Sequence, residues 1–594
     1  MKRSRILISL IVIVFAMLAL LVSANEMGFF NDSVNYNVDV NELTEKLTID
    51  NSNWSYDEEN NIYYQLGIPY CTNPEASEYE SLGIYVPGDY FRGEENSNGT
   101  YTCSVVNSNV GNYSATTAPI VMPIDTAGYS AHKAPTSYNA KDIKEFTDAG
   151  LIYVDAGCRG KENSNSYSGG APWGVTDLKA AVMYLRFNGD TLPGDSERIF
   201  AFGHSGGGAQ SAILGASGDS ELYTPYLESI GAAIVDRNGN KLSDSICGAM
   251  CWCPITSLDT ADGAYEWTMG QYSSDGTRGD GTWTNALSND LAVSYAEYIN
   301  DLKLKSPGGQ TLSLEQSQNG IYASGSYYDY MLSVVETSLN NFLNETTFPY
   351  TPSSNMDMGF SDSGLPMGGS SEDSITYQTA QEYIDSLNGD EEWIIYDSST
   401  NTAKITSIEA FVNHCKYPSK DVGAFDDLTR GQAENDLFGN DDKEYLHFDS
   451  IMADILKNNG NKYARYYDFD SSKAGDYASD FTRMDKMNNT IETRSNMYNP
   501  MYYLCDYYDG EGSSNPAKYW RINSGIEQED TSFTVETNLA LALEQCDDVD
   551  SVDFNLVWGQ GHTQAERTGS ANENFINWIN DCLNEDSGFL PFDF

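Results

Sequence analysis

Ser205 lies in Gly203-His204-Ser205-Gly206-Gly207, a G-x-S-x-G pattern. A serine hydroxyl attacks well near neutral pH only when a base takes its proton and donors receive the charge that develops on the attacked oxygen. Glycines at 203 and 207 suit a sharp, strained turn, because side chains there would collide with neighbouring backbone. The flanks agree with that use. Ile199–Phe202 is a short apolar run suited to a buried strand, and small helix formers follow to Gly215. A strand before and a helix after make the pattern a nucleophile elbow. The start of that helix offers free N–H groups and a positive dipole end to an oxyanion. The N–H of Gly206 is the expected first oxyanion donor. The second is expected from the loop Thr126–Gly128, centred on Ala127, which follows an early strand.

The base must be one of five histidines, at 132, 204, 414, 447 and 562. His204 adjoins Ser205 inside the elbow and should point away. His132 precedes the elbow, and His414 and His447 fall in a middle segment of different character. His562 follows the last apolar strand, in Gly559-Gln560-Gly561-His562, which fits the chain order serine, acid, histidine of α/β-hydrolases. The acid is expected on the loop after the preceding strand, where Glu527, Glu529 and Asp530 compete.

The elements that must hold these groups alternate. Strands are expected at Ser81–Pro87, Ala118–Pro123, Leu151–Val154, Ile199–Phe202, Ile246–Cys253, Lys518–Ile522 and Val552–Trp558. Helices are expected near Lys141–Asp148, Val175–Phe187, Val535–Gln545 and Asn572–Leu583. The helix at 175 carries Val175, Leu178, Val182 and Leu185 on one face. Such alternation implies a mainly parallel sheet with helices on both faces, the α/β class. From 268 to 495 the chain is rich in Gly, Ser, Asn and Asp, and its apolar periodicity is patchy. About 230 residues are too many for a loop, so a folded insertion, a lid, is expected there. The expected organisation is a signal peptide (1–24), a first core part with an N-terminal extension (25–267), the lid domain (268–495) and a second core part (496–594).

Composition narrows the function. The chain has 594 residues, with 87 acidic side chains against 33 basic ones and a formal charge of −54. That excess opposes nucleic-acid binding and docking on anionic membranes, and favours solubility. Lys2, Arg3 and Arg5 precede an apolar run, Ile6–Val22, and Val22-Ser23-Ala24 offers a cleavage site. The protein is therefore expected to be secreted, or held at the cell surface by an uncleaved anchor. Ten cysteines permit disulfides in an exported chain without fixing their pairing. Cys251 and Cys253 are expected on opposite faces of a buried strand. No Cys/His spacing suggests a zinc site, so neither metal nor cofactor is expected.

Several blocks resemble the bacterial tannases, α/β-hydrolase esterases that cleave galloyl esters. They are Gly174–Arg186, Pro193–Ile199 leading into the elbow, Cys253–Thr256 with Asp262–Trp267, Trp520–Ile522 and Asp530–Phe533. The resemblance implies Ser205 as nucleophile and His562 as base. It also implies that Lys420 and Glu434, in lid-like blocks, hold the phenolic hydroxyls of a galloyl group. The family pattern Asp-x-Asp-Thr-Ser supplies first the triad acid and then a galloyl contact. Here Gln528 stands in the first place and Asp530 in the second, so Asp530 is expected to take the triad role. The fungal tannase and feruloyl esterase branch carries a disulfide between residues next to its serine and histidine. This chain has His204 with Thr563 or Gly561 there, and does not fit. The combined expectation is an exported serine esterase acting on small-molecule or plant-polymer esters of aromatic or phenolic acids. A serine peptidase on the same fold, or a catalytically impaired binding protein, would share these residues.

Overall fold

The hydrophobic runs between the glycine-rich turns assemble into one nine-stranded sheet. The structure, a computed structural model, describes residues 38–166, 170–317, 322–352, 375–440 and 442–586. The expected signal peptide lies outside the described residues. Among them, no helix is long and apolar enough to cross a membrane.

The sheet strands are β1 (Ser55–Asp57), β2 (Ile62–Pro69), β3 (Ser81–Pro87), β4 (Ile120–Ile124), β5 (Ile152–Ala156), β6 (Ile199–His204), β7 (Gly248–Trp252), β8 (Tyr519–Gly525) and β9 (Ser551–Val557). Their spatial order is β1-β2-β3-β5-β4-β6-β7-β8-β9. The first three strands and the β3/β5 junction pair antiparallel. Every junction from β5 to β9 is parallel. Parallel strands need crossovers over a sheet face, which is why β6 and β7 are buried along most or all of their length. With helices α1 (Ala140–Asp148), α2 (Trp173–Phe187) and α3 (Gly206–Ala216) among the crossovers, this is the α/β-hydrolase fold.

Helix α3 is buried on every side. Its small residues permit that. A Cβ on Gly215 would come within 2.8 Å of the Trp520 ring, and one on Gly208 within 2.7 Å of the Trp252 carbonyl oxygen. Neighbouring β7 and β8 are joined by the longest excursion of the chain. It opens with α4 (Ala261–Thr268), α5 (Trp283–Leu302) and α6 (Ser326–Glu345), and later includes a hairpin (Ile394–Asp397 with Thr402–Ile405) and the short helix α7 (Ala433–Leu437). Helix α4 runs across position 267, where the composition changes. After β8 come α8 (Phe533–Glu544), β9 and α9 (Ala571–Asp586).

No disulfide joins any of the ten cysteines, all of which lie among the described residues. Cys253 does not continue the strand: β7 ends at Trp252, and Cys253 turns out of it with φ 43°. The expected placement of Cys251 and Cys253 on opposite faces of one strand is therefore corrected, and residues two apart within a strand would in any case share a face.

Candidate active site

Ser205 occupies the left-handed region, with φ 60° and ψ −122°, between β6 and α3. Such a backbone is strained for a residue with a Cβ and survives only where its surroundings enforce it. They do so here. The Ser205 N–H donates to the Trp252 carbonyl at 3.0 Å, which ties the elbow to β7. A Cβ on Gly207 would run into the Ile124 carbonyl, and one on Gly203 would lie 2.5 Å from the Gly207 backbone.

The Thr126–Tyr129 turn lies against the elbow: a Cβ on Gly206 would sit 2.5 Å from the Thr126 oxygen and 2.6 Å from the Tyr129 nitrogen. The structure thus brings the tight turn Ala127–Tyr129 against Gly206, with the Gly128 and Tyr129 nitrogens, rather than that of Ala127, next to it. The turn is held from below. The Thr126 hydroxyl donates to Gln210 Oε1 at 3.0 Å, and buried Tyr129 donates to the Ile255 carbonyl at 2.5 Å.

His562 comes from the loop after β9. Its Nε2 lies 2.8 Å from Ser205 Oγ. The 525–530 loop and the His562 loop touch backbone to backbone. The Ile526 and Glu527 N–H groups donate to the Val557 and Gln560 carbonyls, at 3.0 and 3.1 Å. Gly525 makes this approach possible, because a Cβ there would lie 2.5 Å from the Gln560 oxygen. Cys253 pins the same junction. Its sulfur accepts the Gly525 N–H at 3.4 Å and donates to the Thr563 carbonyl at 3.2 Å. Burial pushes this thiol up to about 11, which keeps it a neutral donor.

The other nitrogen of His562 decides the acid question. Nδ1 lies 2.7 Å from Gln528 Oε1 and 3.6 Å from Asp530 Oδ2. The expected orienting residue was Asp530. The structure puts Gln528 in hydrogen-bonding position and Asp530 one step further out, as a partly exposed anion. Glu527 faces Tyr350, Tyr383 and Cys415 instead, and burial pushes it up to about 7. Glu529 is exposed.

Lys420 and Glu434 gather at the same place. Lys420 Nζ donates to the Asp530 carbonyl at 3.0 Å, lies 4.0 Å from its Oδ1, and sits 4.5 Å above the Phe425 ring. Glu434 is buried on α7, which packs on the Ala127–Tyr129 turn. Burial raises the Glu434 carboxyl, and the charges of Lys420 and Lys161 pull it back. A cation and a carboxylate thus border the serine–histidine pair from the long excursion, although no bond joins them directly.

The remaining histidines are engaged elsewhere. His132 pairs with Asp155 at 2.8 Å, His414 stacks on Trp393, and buried His447 bonds Asp426 at 2.7 Å. His204 packs against His562 with ring centroids 4.7 Å apart, and burial pushes it down to about 4, so it stays neutral. His204, Cys253 and His562 offer donor atoms within 4.8 Å of one another, the one such trio among the described residues. His562 is already committed there to Ser205 and Gln528.

Sequence reasoning missed two buried residues behind Gln528. Glu536 accepts from the Gln528 side chain, and Lys416 Nζ donates to the Gln528 carbonyl. Both are charged residue types in apolar surroundings, and that was their only sequence signal.

The family model described as BD-FAE matches residues 110–245, which span β4 to the elbow helix. No curated relative matches the chain. Among solved structures, the tannin acyl hydrolase from Lactobacillus plantarum is similar at TM-score 0.65 and 24% identity, over 91% of this chain and 99% of that one. The Fusobacterium nucleatum tannase is similar at TM-score 0.63 and 27% identity, over 88% of this chain and 95% of that one. A tannin acyl hydrolase in complex with ethyl gallate matches at TM-score 0.63 and 24% identity, over the same 91% and 99%. Fold and elbow define an α/β-hydrolase. With these likenesses the chain is tannase-like, and by class a carboxylic ester hydrolase of the tannase and feruloyl esterase type.

Proposed function

We propose that the protein is an exported serine esterase that hydrolyses esters of phenolic acids through an acyl-enzyme on Ser205. The observation that carries this reading is the 2.8 Å approach of His562 Nε2 to a serine hydroxyl on a strained elbow. Ser205 Oγ attacks the ester carbonyl as its proton passes to His562 Nε2. The carbonyl oxygen becomes an oxyanion, received by the N–H groups of Gly206 and of the Ala127–Tyr129 turn. The carbon–alkoxide bond breaks, and His562 returns its proton to the departing alcohol. Water repeats the sequence in reverse roles, losing a proton to His562 and releasing the acid. None of these steps requires a cofactor.

Residues 268–495 act as the lid in this reading, with Lys420 and Glu434 facing the acyl group. A phenolic hydroxyl would donate to Glu434 and accept from Lys420. Asp530 stands between Lys420 and His562, at 4.0 Å and 3.6 Å, so its carboxylate can serve the imidazole or a phenol. The solved relative with 3,4-dihydroxybenzoate bears a ligand of this kind. The basic, apolar leader Lys2–Val22 supports export.

The test is turnover of methyl gallate, methyl ferulate and a short acyl ester by wild type and Ser205→Ala, with fluorophosphonate labelling of both. Phenolic esters should be turned over and Ser205 labelled, and both should vanish in the variant. Equal hydrolysis by both proteins, or amide turnover without ester turnover, would overturn the assignment.

A further inference from the structure

The third member of the serine–histidine array is an amide, which raises a problem that a carboxylate does not have. The two ends of a carboxylate are alike, and both accept. The two ends of a glutamine differ. If Gln528 offers Oε1 to His562, the proton must sit on Nδ1, and Nε2 is bare and able to take the Ser205 proton. If the amide turns over, its NH2 faces Nδ1, the ring proton moves to Nε2, and the base is lost. An amide in the place of the triad acid fails in this way in serine proteases, at a cost of about 10⁴ in kcat.

Here the amide is anchored. Gln528 Nε2 donates to Glu536 Oε1 and to Ser524 Oγ, each at 2.8 Å, and Ser524 Oγ in turn donates to Glu536 Oε1 at 2.9 Å. Lys416 Nζ donates to the main-chain carbonyl of Gln528, which fixes the backbone from which the amide projects but not the amide's orientation. Gln528, Ser524, Glu536 and Lys416 are all buried, so water cannot substitute for a missing partner. Burial pushes the Glu536 carboxyl up to about 7, against the pull of Lys416, Ser524 and Gln528; in its ionised form the turned orientation would set Gln528 Oε1 against Glu536 Oε1, acceptor against acceptor, in a low-dielectric site.

We propose that Glu536 is a positioning residue that locks the Gln528 amide with Oε1 toward His562, and so holds the imidazole in the tautomer able to deprotonate Ser205. This rests on the reading of Ser205 as nucleophile and His562 as base. Glu536 touches neither substrate nor His562. It lies in the first turn of α8, one bond behind the array. The triad's carboxylate has in effect moved back by one residue, with an amide inserted as a directional spacer.

The test uses the full-length protein with Glu536→Leu, Gln528→Glu and the exchange Gln528→Glu/Glu536→Gln. The exchange keeps the hydrogen-bonding pattern but returns the carboxylate to His562. Glu536→Leu should lower kcat on a simple methyl ester by about 10²-fold or more. It should also shift the nitrogen NMR signals of His562 from the Nδ1–H toward the Nε2–H tautomer. The exchange should restore kcat to the wild-type level or above, with the Nδ1–H tautomer. Gln528→Glu alone sets two carboxylates side by side and should fall between. If Glu536→Leu fails to fold, the exchange and the His562 signals still decide the matter. Wild-type rates in Glu536→Leu, an unchanged tautomer, or an exchange variant no better than Glu536→Leu would each overturn the proposal. A wild type that neither labels at Ser205 nor turns over esters would instead overturn the serine esterase reading itself.

Discussion

Asp530→Asn separates the two candidates for the residue that supports His562. In the proposed mechanism the imidazole becomes a cation as Ser205 attacks, and any nearby anion lowers the barrier. Asp530 Oδ2 lies 3.6 Å from Nδ1. Coulomb's law at that distance gives about 1.2 kcal/mol at the dielectric of water and about 4.6 kcal/mol at an effective value of 20. The Asp530 side chain is 43% exposed, and Lys420 Nζ sits 4.0 Å away on its other side. Both facts favour the lower end, so we expect about 1–2 kcal/mol, which is about 5- to 30-fold in rate. The assay is kcat/KM on a short-chain ester without phenolic hydroxyls, so that any contact of Asp530 with a phenol does not enter. At 1 M salt, where the screening length falls to about 3 Å, the gap between wild type and variant should narrow. A loss of about 10³-fold or more would mean that Asp530, not Gln528, bonds the imidazole. No loss at all would mean that the Asp530 anion does not reach the reacting centre.

Other consequences follow from the same geometry. Lys420→Met should lower kcat/KM for methyl gallate by about 10- to 100-fold, the worth of a charge-assisted hydrogen bond, and leave a short acyl ester little changed; equal losses on both would remove Lys420 from acyl recognition. Gly207→Ala should destabilise the protein by about 3 kcal/mol in urea unfolding, because the added methyl meets the Ile124 carbonyl rather than a movable side chain. A stable, active Gly207→Ala protein would contradict the tight elbow. Thermal stability should also rise from pH 8 to pH 5. Burial pushes Asp262 up to about 7, and Asp449 is raised well above its usual value. The folded state therefore binds protons more tightly than an unfolded carboxylate, whose ordinary value is about 4, and stability falls as pH climbs between those values. The charges of Asp426 and Glu266 add to the shift, while the N–H groups of Asp426 and Phe425, which donate to Asp262, work against it. Asp262→Asn should reduce the difference in Tm between pH 5 and pH 8, and an unchanged difference would refute this source.

Local chemistry made much of the molecule legible in its sequence. The elbow is specified by steric exclusion within a few residues, so Gly203, Ser205 and Gly207 reveal it without tertiary context. The sheet strands were legible for a similar reason: fully buried parallel strands read as short apolar runs, and β6, β7 and β8 fall within a residue or a few of their expected limits. β1 and β2 were missed: β1 is only three residues long, and alternating burial and the polar Gln65 blur β2. The scarcity of histidine and the position of His562 after the last strand were enough to bring it to Ser205.

The sequence could not rank Gln528 against Asp530, two residues apart on one loop. Which of them meets Nδ1 depends on how that loop leaves β8, and the backbone contacts of Ile526 and Glu527 with the Val557 and Gln560 carbonyls set its path. Nor could it reveal Glu536, whose role exists only because α8 folds its first turn back under Gln528. Residue types and their spacing along the chain pointed to the proposed nucleophile and base and laid out most of the sheet. The three-dimensional fold decided the partner of the base, because hydrogen bonding answers to distances of a few ångströms that spacing along the chain does not encode.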